Sequence, residues 1–425
     1  MRGDLAIAVS TDRGGTHVRK HLVKSAAIVG ATLLVVAACG TNDKTEAGGT
    51  GGSCDTSKGT LTVGVVAPLS GNLSALGIGI KQSAELAVDE ANKKCTVKGY
   101  KLQVSAQDDE ANPAKGAQAA TKLSTDPNVV GVVGTLNSSV AQTVQPILQG
   151  KKIPQVSPAN TNPSLTRGNE FLTAPKRQFD NYFRVCATDD LQGPFAANYM
   201  VEKAGKKKIA IITDGKTYGK GLADEFSKQV AKKGGTIVGN ETIGEKDTDF
   251  SGVVSKIKAL APEAVYYGGE YPAAGPLSKQ LKDGGLNVPL MGGDGIYDQK
   301  FIDLGGKEGD LATSVGAPTE SLDTAKAFVN AYKEKFGKED YAAYGAFSYD
   351  AANAIIGALA KTVEGGEWGD AKRDAMLTNV GSYSGSGATG EVKFDQYGDS
   401  TNKVLTVYQV AGTKWDDVQT GEYTG

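Results

Sequence analysis

Ser138 and Ser139 stand directly after an apolar run, Val129 to Val133, where a helical pattern begins. Hydroxyls and free N–H groups at a helix N-terminus hold anions, because the exposed donors and the helix dipole both point outward there. Thr161 follows the next apolar run, Ile153 to Val156. Plain capping of their own helices is the competing explanation for Ser138 and Thr161. Gly215-Lys216-Thr217 suggests phosphate binding, but a P-loop needs a glycine at position 210, and Ala210 stands there inside a strand-like run. No Gly-x-Ser-x-Gly elbow occurs. Asp108-Asp109-Glu110 reads as a solvated cap, and Asp247-Thr248-Asp249 lacks calcium-loop spacing. The two histidines, His17 and His21, both precede the cleavage point inferred below. The mature chain would then have no histidine, which removes Ser-His-Asp and Cys-His catalysis and any His-ligated metal. No cofactor or metal is expected. With 46 Lys and Arg against 48 Asp and Glu, scattered along the chain, nothing points to nucleic acid.

The N-terminal segment carries an export signal. Arg19, Lys20, His21 and Lys24 form a basic patch, followed by an apolar run from Ala26 to Ala38 and then Cys39. That run falls short of the ~20 apolar residues a spanning helix needs. Val36-Ala37-Ala38-Cys39 resembles a bacterial lipobox, which makes Cys39 the lipidated first residue of the mature chain; an ordinary signal peptide with a chance cysteine is the alternative. Residues 1–38 read as signal peptide, with translation expected to start near Val18 because Asp4 and Asp12 precede the basic patch. Residues 39–59, rich in Gly, Thr and Ser, read as a flexible tether. In an oxidising compartment a disulfide is expected. Cys54, before the first strand, and Cys95, at the end of the first helix, are the expected pair, with Cys186 left alone.

The elements that must position these residues alternate along the body of the chain. Leu61 to Val66, Tyr100 to Ser105, Val129 to Val133 and Ile153 to Val156 read as strands. Helices are expected over Ile78 to Asn92, Pro113 to Ser124 and Ser139 to Gln149. The pattern restarts after Phe183-Arg184-Val185. Strands follow at Lys208 to Thr213, Thr236 to Glu241, Ala264 to Tyr267 and Pro289 to Met291, with helices over Gly221 to Lys233, Phe250 to Leu260 and Ala273 to Asp283. Further helices run from Thr324 to Phe336 and from Tyr349 to Glu364, before antiparallel β-structure at Gly390 to Asp395 and Val404 to Val410. Near-continuous apolar strands separated by helices imply parallel sheets covered on both faces. The expected fold class is α/β, with two Rossmann-like lobes.

Six motifs together resemble the type I periplasmic binding proteins, and within them the branched-chain amino acid binders of ABC importers. They are Val65-Val66-Ala67-Pro68-Leu69-Ser70-Gly71, Val132 to Ser139, Ser157 to Pro163, Asp214 to Gly221, Val265-Tyr266-Tyr267-Gly268-Gly269 and Met291-Gly292-Gly293-Asp294-Gly295. The resemblance implies a three-segment hinge, with residues 60–184 plus 317–394 as lobe 1 and 185–316 plus 395–425 as lobe 2. It implies that Ser138 holds the carboxylate of an amino acid, that Ala159 offers its carbonyl to the ammonium, and that Thr161 binds the same head group. Asp294 would accept the ammonium, unless it is a simple turn residue. Tyr218 would close over the head, Leu76 and Leu136 would line the side-chain pocket with aromatics around Tyr344 nearby, and Asn137 would also be among the ligand-binding residues.

Two positions depart from the family pattern. Leu76 and Glu270 stand where relatives often carry aromatics. A carboxylate beside an aliphatic ligand costs free energy unless paired or solvated. Glu270 therefore either points to water or signals a more polar ligand. The partners implied are the amino acid, a permease with its ATPase, and the membrane through the lipid anchor, with the protein itself a monomer. A sensor for amino acids, amides or urea that signals to a membrane partner is the alternative, and an exported α/β hydrolase a further one.

Overall fold

Val129, Val130, Val132 and Val133 show why the apolar runs become covered strands. Val129 and Val132 pack with Ala119, Leu123, Val140 and Val144, whereas Val130 and Val133 join a different cluster with Ile355 and Leu359. Successive side chains of a strand point to opposite faces, so a strand with helices on both sides is apolar at nearly every position. The computed structural model describes residues 54–244 and 246–423. The signal, the lipobox with Cys39 and most of the tether lie outside them.

The first sheet is wholly parallel, in the order β2-β1-β3-β4-β5. Its strands are β1 (Thr60–Ala67), β2 (Lys101–Asp108), β3 (Val129–Gly134), β4 (Gln155–Ser157) and β5 (Tyr182–Arg184). Helices α1 (Ser74–Lys93), α2 (Pro113–Ser124), α3 (Ser138–Gln149) and the short α4 (Ser164–Arg167) connect them. Asn112 caps α2 by accepting from the N–H groups of Ala114 and Lys115, ahead of a proline at the first helical position. The chain then leaves for α5 (Asp189–Asn198), which runs into a π-turn at Tyr199–Lys203 and packs on the second half.

That half contains β6 (Lys208–Thr213), α6 (Thr217–Lys232), β7 (Thr236–Thr242), α7 (Ser251–Ala259), β8 (Ala264–Gly268), α8 (Tyr271–Asp283), β9 (Leu290–Gly292), α9 (Gln299–Asp303) and β10 (Leu311–Ser314). Next, α10 (Lys326–Phe336), α11 (Gly345–Glu364) and α12 (Arg373–Gly381) return to the first sheet, where α11 lies on α1 and β3. A hairpin of β11 (Ser384–Gly387) and β12 (Gly390–Lys393) precedes β13 (Val404–Ala411) and β14 (Lys414–Glu422). The last two strands complete a sheet of order β14-β13-β10-β9-β8-β6-β7, antiparallel only at the β10-β13 and β13-β14 pairs. Each sheet with its helices forms one lobe. The chain passes between lobes after β5, after β10 and between β12 and β13.

Several elements differ from the sequence expectation. Helix α6 begins at Thr217 rather than Gly221, which puts Tyr218 in its first turn. Gly219 there is no breaker: a Cβ at that position would run into the carbonyl of Gly268, so glycine lets the helix start close against β8. Helix α1 likewise begins at Ser74 and so takes in Leu76. The two C-terminal β segments do not pair with each other; β12 pairs β11, and β13 lies between β10 and β14. Asp109 is no solvated cap. It is fully buried, accepts from Ala111 N–H, and is pushed up to about 7 by burial, with Asp108 adding to the shift.

Cys54 and Cys95 form the expected disulfide with a Cα–Cα distance of 5.5 Å, and Cys186 is a buried free thiol. On the chain-entropy argument a loop of this length contributes about 4 kcal/mol. Replacing both cysteines by serine should lower the unfolding free energy in urea by about that amount. A midpoint and slope equal to wild type would contradict it.

Candidate functional site

The residues singled out in the sequence converge because both lobes present the same edge of their sheets. After β3 come Leu136, Asn137 and Ser138, with Ser138 opening α3; after β4 come Ala159 and Thr161. From the other lobe, Tyr218 lies in the first turn of α6 after β6, Glu270 directly precedes α8 after β8, and Asp294 opens a short 3-10 turn after β9. Open α/β sheets bind ligands at this carboxyl end of their strands. Leu76, Leu136, Asn137, Ser138, Ala159, Tyr218, Glu270, Asp294, Gly295 and Tyr344 together line one small cavity of about 20 Å³. Thr161 is fully buried in the loop behind Ala159.

Asp294 is 2% exposed. Its Oδ1 accepts from the Tyr218 hydroxyl at 2.8 Å and from Gln192 Nε2 at 3.0 Å, and its Oδ2 accepts from the Tyr344 hydroxyl at 2.7 Å. Burial raises its pKa, and the three donors pull it back. Gln192 is locked in turn: its Oε1 accepts from Asp294 N–H at 2.8 Å and from Thr313 at 2.7 Å. The same Gln192 nitrogen reaches a second carboxylate, Asp189, at 3.2 Å. Asp189 is fully buried, and burial followed by the Asp294 charge pushes its pKa well up. No ion pair reaches Asp294 or Asp189 among the described residues, and the Arg184 charge acts on Asp189 only from a distance.

On the first lobe the buried atoms lack partners. Ser138 Oγ and Asn137 Oδ1 make no hydrogen bond, and Thr161 Oγ1, beside Asp189, completes none of normal geometry. A buried polar atom left unpaired costs about 1–3 kcal/mol, and two of these, on Ser138 and Asn137, belong to residues lining the one cavity. The loops themselves are firmly held: Asn160 donates to Leu136 O at 2.8 Å, and Arg184 donates to Asn160 O at 2.6 Å and to Asn162 O at 3.0 Å.

Glu270 does not point to water, which corrects one of the two expectations for it. Its Oε1 accepts from Asn137 Nδ2 at 2.7 Å, across the lobes, and its Oε2 lies 3.9 Å from Lys216 Nζ. Burial and then nearby Asp214 push its carboxyl up to about 7, while Lys216 draws it down. Further bonds cross between the lobes from Asn162 to Thr217 O at 2.9 Å and from Thr217 to Gln142 at 3.2 Å. The lobes are therefore joined by direct bonds near the cavity, which has room for about one water molecule. Gln192 and Asp189 were missed in the sequence, because Gly193-Pro194 disguises α5 as a loop. Tyr344 had been placed only in the neighbourhood; it is a direct partner of Asp294.

Residues 60–414 match the periplasmic binding protein family. The chain is 34% identical over 358 residues to the Leu/Ile/Val-binding protein BraC3 of Rhizobium johnstonii, covering 84% of this chain and 92% of that protein. It superposes with a TM-score of 0.75 at 27% identity on the leucine binding protein LivK of Thermotoga maritima, covering 85% of this chain and 99% of that one. The same values hold for LivJ of Streptococcus pneumoniae, a branched-chain amino acid transporter substrate binding protein solved in complex with isoleucine.

The titration of Glu270 gives a measurable sign. Its folded value lies above the ordinary 4.5, so its contribution to stability is present below about 4.5 and is lost as pH rises toward 7. Glu270→Gln should therefore gain stability relative to wild type as pH increases across that window, in denaturant unfolding at pH 4.5, 5.5 and 7. A constant difference between the two proteins would contradict the placement.

Proposed function

The chain belongs to the periplasmic binding protein family, and on that premise we propose that it captures a free amino acid between its lobes and hands it to the permease of an ABC importer. The observation that carries this reading is the buried Asp294 carboxylate, gripped by Tyr218, Tyr344 and Gln192 with no cation paired to it among the described residues. An α-ammonium supplies the missing charge, and closure of the lobes strengthens that pair by excluding water. The ligand carboxylate goes to Ser138 at the start of α3, where the Ser138 hydroxyl is unpaired and the helix N-terminus favours an anion. Thr161 and the carbonyl of Ala159 complete the head-group site. Leu76 and Leu136 border the side chain.

Closure also suits the magnitudes. Micromolar binding needs about −8 kcal/mol. For a leucine-sized ligand that is roughly −0.9 kcal/mol per heavy atom, close to the limit for small ligands, so near-complete enclosure is required. Lobe 1 would comprise residues 60–184 and 317–394, and lobe 2 residues 185–316 and 395–425, moving about the three passages between the sheets. The family is one of solute-binding proteins outside the cytoplasm; catalysis forms no part of this reading. Among the described residues no helix is long and apolar enough to cross a membrane. Attachment through a lipid on Cys39 and a monomeric state complete the proposal, with relatives named for Leu, Ile and Val in support.

In a thermal-shift screen, an amino acid at 100 times its dissociation constant should stabilise the wild type by about 2.7 kcal/mol. Asp294→Ala should abolish the shift; an undiminished response would remove Asp294 from the site. Cys39→Ser should move the exported protein from the membrane to the soluble fraction, and its retention on the membrane would argue against lipidation.

A further inference from the structure

Resting on the amino-acid reading, we infer that this pocket selects a ligand whose side chain ends in a hydrogen-bond donor, and that Glu270 with Asn137 sets that selection. Glu270 lines the small central cavity and also a second cavity of about 110 Å³ walled by Ser70, Asn72, Asp214 and Lys216. It is thus the partition between the head-group chamber and a polar annexe. The Asn137 amide is oriented by its own bond: Nδ2 donates to Glu270 Oε1 at 2.7 Å, which leaves Oδ1 to accept. That Oδ1 belongs to a residue 4% exposed, lies in the lining of the same cavity, and has no partner. Glu270 is itself engaged, with Asn137 on Oε1, a hydrogen bond shared with Asp214 and Lys216 Nζ at 3.9 Å, so it holds the Asn137 amide in place and the acceptor left for the ligand is Asn137 Oδ1.

An aliphatic side chain closed against this wall would leave Asn137 Oδ1 unsatisfied in a water-excluded space. An amide, hydroxyl or ammonium would satisfy it. The asymmetry is large, because a site built to hydrogen-bond its ligand rejects analogues that lack the donor far more strongly than an apolar pocket rejects a missing methylene.

The test is isothermal titration of the full-length protein in detergent. The panel holds glutamine and asparagine for the amide, threonine for the hydroxyl and lysine for the ammonium, against leucine, isoleucine and valine. The best donor-bearing ligand should bind on the order of 10²-fold more tightly than leucine, and its identity tells which donor the subsite takes. Glu270→Leu should erase or reverse that preference while still binding leucine. The wild-type panel decides the matter even if that variant fails to fold. Tightest wild-type binding of leucine, isoleucine or valine, abolished by Asp294→Ala, would overturn the side-chain inference and leave the amino-acid reading standing. Binding of no amino acid would overturn both.

Discussion

A carboxylate buried at the meeting of two lobes, with hydroxyls and an amide around it but no paired cation among the described residues, is the constraint on which the rest depends. Removing an ionised group from water is costly unless charge and hydrogen bonds compensate. Tyr218, Tyr344 and Gln192 supply the hydrogen bonds to Asp294, and they come from three separate segments of the chain. In the proposed function the compensating charge arrives with the ligand. Asp189 places a second buried carboxyl group on the same Gln192 nitrogen, and burial together with the Asp294 charge favours its neutral form.

The fold delivers these groups together because both sheets present their carboxyl edges to a common space. One further device fixes the loops there. Arg184, fully buried at the end of β5, pairs with Asp399 at 2.7 Å and donates to Asn160 O, Asn162 O and Thr166 Oγ1. Asp399 lies in the last passage between lobes and also pairs with Arg167 at 3.1 Å. The loop that carries Ala159 and Thr161 is thereby tied to the segment between β12 and β13. Breaking one partner of such a buried pair leaves an uncompensated charge, so the arrangement resists drift in the site.

Much of this was legible in the sequence where local pattern and burial agree. The valines of β3 and the isoleucines of β6 are covered on both faces, and their runs mark strands without ambiguity. Ser138, Thr161 and Asp294 stand out as candidates because each follows such a strand. Elements whose residues contradict their local type were not legible. Helix α5 contains Gly193-Pro194, tolerated because that segment packs inside the second lobe; β14, Lys-Trp-Asp-Asp-Val-Gln-Thr-Gly-Glu, is a largely solvated edge with no apolar run to read. Gln192 and Asp189 were hidden with α5. Glu270 was noticed only as a departure, since its partner Asn137 lies 133 residues away and only the fold brings them to 2.7 Å.

The most direct test of the central claim is a crystal structure of the protein with its amino acid bound. The account requires the ligand nitrogen within about 3 Å of an Asp294 oxygen, with Tyr218 and Tyr344 still donating to that carboxylate and the ligand carboxylate against Ser138. A ligand whose ammonium pairs elsewhere, leaving Asp294 buried with only its hydroxyl and amide partners, would contradict it.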